Sequence, residues 1–247
     1  AGVPDCGPSI VAYGPDAASA ARRADALLAK LIAAKISFDT HLHPPSEAVS
    51  LAMQTAQPVI LADVQDNPGA GGFSNTTGLL QALIANRAHN AVLGLLCDPR
   101  VAAQAHELGE GARFTAEIGD PPLRLTMRVR SLSKTPIRYT GRMYGGGMAT
   151  PGPSALLHCS QNGADVQIVV TSQRIQCLDQ ALFRHFGVAL ETCQIICVKS
   201  TAHFRDAFND LSQTVLNVAA PGAFPCALNI ADYKNLRQGL SIAGASA

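Results

Sequence analysis

Apolar residues first recur at helical spacing. Ala20, Ala24, Leu27, Leu28 and Leu31 fall on one side of a 3.6-residue period, with Arg22, Arg23 and Lys30 opposite. Asp16 is a good N-cap for this stretch, so the pattern predicts an amphipathic helix from Ala17 to about Ser37. Asp39-Thr40-His41-Leu42-His43 runs into Pro44-Pro45 and reads as a linker closed by restricted backbone, followed by a second helix over Ser46–Ala56. From Pro58 to Val64 the period gives way to a continuous apolar run, the mark of a strand buried on both faces. A glycine-rich turn and a helix near Thr76–Asn86 follow. Ala91–Leu96 repeats the strand pattern, and Asp98-Pro99 opens a short helix toward Glu107.

Between about Gly111 and Cys159 the period changes to two: Leu123, Leu125, Met127 and Val129 alternate with Arg124, Thr126, Arg128 and Arg130. One dry and one wet face predict antiparallel strands, read here as a small subdomain inserted in or flanking the main sheet. Gln167–Thr171 and Cys193–Val198 return to buried-strand character, each with a helix behind it, over Leu178–Phe186 and His203–Val218. The expected fold is α/β: a mixed, largely parallel sheet flanked by helices, with an antiparallel portion around residues 111–159.

Composition narrows the function classes. With 47% hydrophobic and 15% charged residues among 247, the chain is expected to be globular. Nineteen basic against eighteen acidic residues leave a net charge of +1, which lacks the basic footprint of a nucleic-acid binder. No apolar run approaches the roughly 18 residues that cross a bilayer, so no membrane partner is expected. The opening Ala1-Gly2-Val3-Pro4 lacks the features of a signal peptide, which points to a cytoplasmic protein. Its start without methionine reads as the continuation of something longer. The cysteines at 6, 97, 159, 177, 193, 197 and 226 show no C-x-x-C and no zinc spacing. Cys193 and Cys197, four apart in a strand-like run, read as small apolar core residues.

In open parallel sheets, ligands bind beyond the carboxyl ends of the strands. Here those ends deliver Asp66 and Asn67, then Asp98, then Ser172–Arg174, and finally Lys199, Ser200 and Thr201 with His203 close behind. The clearest local signal is Asp63-Val64-Gln65-Asp66-Asn67-Pro68-Gly69-Ala70-Gly71-Gly72-Phe73-Ser74-Asn75-Thr76-Thr77, set between strand and helix. Gly69, Gly71 and Gly72 would let a ligand approach the backbone, and N–H groups at Thr76 and Thr77 would favour an oxyanion. The loop lacks the lysine of a P-loop, and a tight turn capped by Asn75 or Thr76 is the plainer reading. Asp66 is expected to point outward. Asp39, His41 and His43 could place three ligands on one side of an extended segment, but on a linker they read as ordinary polar residues. His185 reads as helix-end packing or a site residue, and His89, His106 and His158 have no context that lifts them.

Five ordered blocks resemble the carboxyl-terminal region of the microcystinase C family of metallopeptidases. They are Pro58–Gly69, Met143-Tyr144-Gly145-Gly146, Gly152-Pro153-Ser154-Ala155, Leu178–His185 and Val198–Arg205. Pro4–Tyr13 is similar to the seam where that family's amino-terminal domain ends. The resemblance implies residues 1–56 as the end of an amino-terminal metallopeptidase domain with linker helices, and 57–247 as the carboxyl-terminal α/β domain. It further implies a zinc-bound hydrolase, a protease in the broad sense, that cleaves amide bonds of small peptides, linearised microcystin-like ones and so microcystin degradation included. Zinc ligands are expected in the amino-terminal half, none in this chain. The partners are then a small peptide and the amino-terminal metal-binding domain of the same protein, with a homo-oligomer also open.

On this reading Asp66, Asn67 and His203 serve catalysis, while Gly69, Gly71, Gly72, Thr76, Thr77, His185 and Lys199 line the substrate. Ala70 stands where the family more often has glycine, and Asn75 where aspartate is usual, which removes a charge near the helix start. The chain by itself is expected to fold, bind no stoichiometric zinc and lack peptidase activity. Two rival classes stand beside this one: a non-catalytic α/β module that binds an anionic small molecule through the Gly69–Thr77 loop, and a structural or dimerisation domain.

Overall fold

The computed structural model describes residues 8–38 and 41–226, which fall into two compact units, one up to residue 41 and one over Leu42–Cys226. Cys6 and Asp39 lie outside the described residues. In the first unit, α1 (Ala17–Ala33) starts where expected, because Asp16 Oδ1 accepts from Ser19 N at 2.7 Å. A 3-10 turn over Lys35–Phe38 follows it, and Leu27, Leu28 and Ile32 of the helix are exposed.

The second unit holds the strands β1 (Val59–Asp63), β2 (Ala91–Cys97), β3 (Arg113–Ile118), β4 (Leu123–Ser133), β5 (Ile137–Arg138), β6 (Met148–Ala149), β7 (Ser154–Cys159), β8 (Val166–Thr171), β9 (Ile195–Val198) and β10 (Val215–Val218). One eight-stranded sheet runs in the order β10-β1-β9-β2-β8-β7-β4-β3, and β5 pairs with β6 apart from it. Strands β10, β1, β9, β2 and β8 are mutually parallel, whereas β7, β4 and β3 add antiparallel. The alternating segment is therefore an extension of the main sheet and not a separate subdomain, since β7 donates and accepts along β8 without a break.

Successive strand residues point to opposite faces, and the continuous apolar runs are buried on both. Leu61, Leu93 and Ile168 pack under α2 (Pro45–Met53), α3 (Gly78–Ala85) and α4 (Pro99–Leu108). Ile60, Val92 and Val169 pack under α5 (Ala181–Arg184) and α6 (Arg205–Phe208), through Leu182, Phe183, Phe204 and Phe208. Right-handed crossovers require this split. The chain moves one way along the sheet from β1 through α3 to β2, and back the other way from β8 to β9 to β10, so the helices fall on opposite faces.

Two expectations fail in the last third. His203–Val218 is not one helix: α6 spans only Arg205–Phe208, and Val215–Val218 form the parallel edge strand β10. The β-branched pair Thr214-Val215 behind Ser212 favours extended backbone, and β1 offers a free edge to pair with. Cys193 caps the 3-10 turn Leu190–Thr192 ahead of β9 and is not in the strand. The thiols of Cys177, Cys193 and Cys197 are all raised by burial, Cys193 to about 11, in keeping with core residues.

The approach of α5 to the sheet depends on Gly94 in the middle of β2. A Cβ there would stand 2.5 Å from Phe183 Cε1. Gly94→Ala should therefore cost about 1–3 kcal/mol through overpacking, read from the urea midpoint. Combining it with Phe183→Leu should recover part of the loss, and strictly additive effects in that cycle would show that the close approach is not what limits packing.

Candidate active-site edge

Register brings the central charges together. Ala62 of β1 pairs with Val198 of β9, so the next residues, Asp63 and Lys199, emerge side by side. Both are buried, Lys199 at 1% exposure and Asp63 at 0%. Lys199 Nζ donates to Asp63 Oδ2 at 2.8 Å, to Asp66 Oδ2 at 2.9 Å and to Thr76 Oγ1 at 3.1 Å. An ammonium has three donors, and all are engaged.

Asp66 does not point outward as expected. It is 0% exposed, and its carboxylate fills the cradle of its own loop: Ser74 N donates to Oδ1, while Thr76 N and Thr76 Oγ1 donate to Oδ2, at 2.8–2.9 Å. The lysine behind the loop explains the turn inward, because a buried ammonium without a counter-charge is far costlier than a buried pair. Thr76 thus bonds Asp66 instead of capping α3, whose N-cap is Thr77; Thr77 Oγ1 donates instead to Pro121 O at 2.7 Å.

The glycines serve the loop's own path. A Cβ on Gly72 would lie 2.7 Å from Asn67 N, and Gly71 adopts φ +100° at the close of a 3-10 turn. Gly69 N donates to Asn67 Oδ1 at 2.9 Å, and Gly72 N to Asn67 O at 2.9 Å.

Burial by itself would raise the Asp66 carboxyl, but the Lys199 charge, the Lys199 hydrogen bond and those from Thr76 outweigh it and hold the group below its ordinary 3.8. Asp63 goes the other way. Desolvation pushes it up against the pull of Lys199, with the Asp66 charge adding to the rise, and its Oδ1 lacks a well-formed hydrogen bond. Burial disfavours the Lys199 ammonium, yet the two carboxylates raise its pKa overall.

Above this charged layer lies a polar one that runs from buried Asn67 and Ser200 out to exposed Thr201 and His203. Asn67 Nδ2 donates to Thr201 Oγ1 at 2.9 Å, linking the loops after β1 and β9. Gln176, in the loop after β8, donates from Nε2 to Ser200 Oγ at 3.0 Å and meets His203 Nδ1 through Oε1 at 3.0 Å. His203 and Arg174 are exposed, and Arg174 Nη1 reaches Gly72 O at 3.4 Å. Gln176 carried no signal in the sequence, because its partners come from another strand end. Asp63 did carry one: a carboxylate inside an apolar run calls for a cation.

The remaining expected site residues lie elsewhere. Asp98 caps α4, accepting from Arg100 N and Val101 N, and also accepts from Gly119 N at 3.0 Å, which fastens the β3–β4 turn. His185 Nε2 bonds Ser133 Oγ at 2.7 Å and its ring packs edge-on against Phe186. It is anchored to the antiparallel part of the sheet and not to the loops after β1 and β9. His43 sits in a bridge to Val218, with Nδ1 2.8 Å from Glu47 Oε1.

The residues of this edge do not form a set that fits a zinc ion. Among the described residues of these loops His203 is the only imidazole, and the carboxylates of Asp63, Asp66 and Asp98 are buried and engaged by Lys199 or backbone N–H groups.

The charge arrangement predicts an asymmetric response to substitution. Lys199→Met should cost about 3–5 kcal/mol, as expected when one partner of a buried pair is removed. Asp66→Asn should cost about 1–3 kcal/mol through lost charged hydrogen bonds, and Asp63→Asn less than about 1 kcal/mol. The pH dependence separates the two carboxylates. Asp66 contributes stability present above the unfolded value and lost as pH falls through its lowered folded value. Asp63 contributes stability present below about 3.8 and lost as pH rises through its raised folded value, so Asp63→Asn should remove that decline. Urea unfolding across pH measures both, and equal costs for the two asparagine variants at neutral pH would refute the assignment.

A family model described as the MlrC C-terminus matches residues 61–235. Microcystinase C of a Sphingomonas species is 30% identical over 173 residues, which cover 67% of this chain and 32% of that protein. The chain thus spans about a third of the length of this curated relative. A solved structure from Mesorhizobium sp. BNC1, provisionally described as a metallopeptidase, superposes with a TM-score of 0.74 at 22% identity, over 92% of this chain and 47% of the other, and shares the fold. With the family model matching 61–235 of 247 residues, Lys199, His203 and the whole Asp63–Thr77 loop included, the chain belongs to the MlrC C-terminus family.

Proposed function

We propose that this chain is the carboxyl-terminal part of a zinc-dependent peptidase or amidohydrolase acting on small peptides, and that the loops after β1, β8 and β9 form the substrate-side wall of its active site. The zinc ligands would come from an amino-terminal part, since this edge does not supply a fitting set. Of residues 1–56, those of the first unit would then belong with that part, a reading supported by the exposed apolar Leu27, Leu28 and Ile32 of α1, whereas α2 packs with the sheet of the second unit. The free thiols among the described residues suit a cytoplasmic setting.

The observation that carries the reading is the orientation of His203. Gln176 Nε2 is taken by Ser200 Oγ, so Oε1 faces the imidazole and the neutral ring donates from Nδ1. Nε2 is left as an acceptor on an exposed side chain, where it can take or return a proton at the scissile amide. Asn67, tied to Thr201, fixes the spacing of the two loops beneath the substrate. Gly69, Gly71 and Gly72 keep the wall low, and Asp66 and Lys199 act as positioning residues from below.

The rival reading, an anion captured by the Gly69–Thr77 loop, fits less well. The N–H groups of Gly69, Ala70, Gly71, Gly72, Ser74 and Thr76 already donate within the chain.

In the full-length protein, His203→Asn should lower turnover of a small linear peptide by about 10²–10⁴-fold without moving the melting temperature. Gln176→Glu keeps the acceptor toward Nδ1 but gives up the Nε2 donor to Ser200, and should alter the pH–rate profile while Gln176→Ala lowers turnover without altering its shape. Turnover within about twofold of wild type in His203→Asn would remove His203 from the reaction. Full activity after exhaustive chelation would remove the metal.

A further inference from the structure

The polar face of the antiparallel strands carries a basic cleft that the proposed reaction does not use. Arg113 and Arg128 stand directly opposite one another between β3 and β4, and Arg128 stands directly opposite His158 between β4 and β7. Like charges in directly opposed positions destabilise a sheet. A register shift between Val129 and Ser131 adds a third guanidinium at this spot. Such an irregularity re-aims a side chain, and here it brings Arg130 Nη2 to 3.3 Å from His158 Nδ1.

Arg128 and Arg130 are held in place before any ligand arrives. His158 Nε2 lies 2.7 Å from Asp165 Oδ1. A neutral ring protonated on Nε2 therefore donates to Asp165 and accepts from Arg130, which orients that guanidinium. Arg128 Nε donates to Gly111 O at 3.2 Å and leaves both Nη groups available. The cleft between them has a volume of about 270 Å³, is bordered also by Thr126 and Ser160, and has no carboxylate among the described residues of its lining. Asp165 borders an adjoining cleft on the other side of His158. His158 pairs with Gln167 near the start of β8, while the loops of the candidate active site follow the strands' far ends.

We propose that this cleft is a binding site for a phosphate group, free or carried on a small molecule. Two held guanidinium groups, with Arg113 beside them in the lining, match the multiple charge and the several acceptor oxygens of a phosphoryl dianion, with Thr126 and Ser160 offering hydroxyl donors.

The test is thermal unfolding of the chain in phosphate, pyrophosphate and ADP, each against chloride at matched ionic strength. Binding to the folded state should give a saturating rise in melting temperature of about 2–4 °C for each kcal/mol gained. Arg128→Gln and Arg130→Gln should abolish the rise, and Arg124→Gln, which removes the same charge from β4 outside the cleft, should keep it. Titration calorimetry on the wild type gives the affinity without variants. Tighter binding of ADP than of pyrophosphate assigns the site to a carried phosphate, and equal or weaker binding to the free ion. A rise no larger than that in chloride, or one undiminished in Arg128→Gln and Arg130→Gln, overturns the site.

Discussion

A single buried ammonium organises the edge of this fold at the carboxyl ends of the parallel strands. Lys199 draws its partners from the end of β1, from the loop behind it and from the residue before the cap of α3. Taking these charges out of water is expensive, and well-packed apolar residues could serve stability as well or better. What apolar packing would not supply is direction. An ammonium with three acceptors admits one arrangement of the segments that bring them, so the loop from Asp66 to Thr76 has one path and the start of the β9 loop has one exit.

The polar layer above inherits that order. Asn67 follows Asp66, and Ser200, Thr201 and His203 follow Lys199, so pinning the two charged residues also sets where the exposed Thr201 and His203 stand. The hydrogen bonds Asn67 to Thr201 and Gln176 to Ser200 then join the loops of three strands. The imidazole of His203 lies at the end of this chain of contacts, oriented by Gln176 from an adjacent loop. An exposed imidazole is thereby held without being buried, as the proposed acid–base role would require.

Much of the architecture could be read along the chain, because continuous apolar runs and strict alternation report burial on two faces and on one. The strands at Pro58–Val64 and Ala91–Leu96, the helix behind Asp98 and the alternation around Leu123–Val129 all follow from those periods. Less legible was anything decided between distant segments. Asp66 reads as an exposed turn residue until Lys199 is known to lie behind it, although Asp63 and Lys199, each a charge adjoining an apolar run, pointed to one another. Val215–Val218 reads as the end of a helix because its strand character depends on the open edge of β1. His158 gained its setting from an irregularity in β4 that no spacing rule reveals.

The antiparallel extension also bears on the glycine-rich loop. The turn between β3 and β4 returns to the carboxyl edge, where Gly119 N donates to Asp98 Oδ2, Asp120 N to Asn75 O, and Thr77 Oγ1 to Pro121 O. Gly119 approaches Asn75 so closely that a Cβ there would lie 2.5 Å from its carbonyl oxygen. The loop is therefore held from below by Lys199 and from the side by this turn, two contacts contributed by segments far apart in the chain. Its glycines permit the path, but the charge below and the brace beside it select the path. The hairpin thus supports the wall of the candidate site while leaving its own arginine-bearing face uncovered, since α4 packs against the opposite face through Val101, Ala102 and Ala105. One extension of the sheet accounts both for the rigidity of the edge and for the basic cleft away from it.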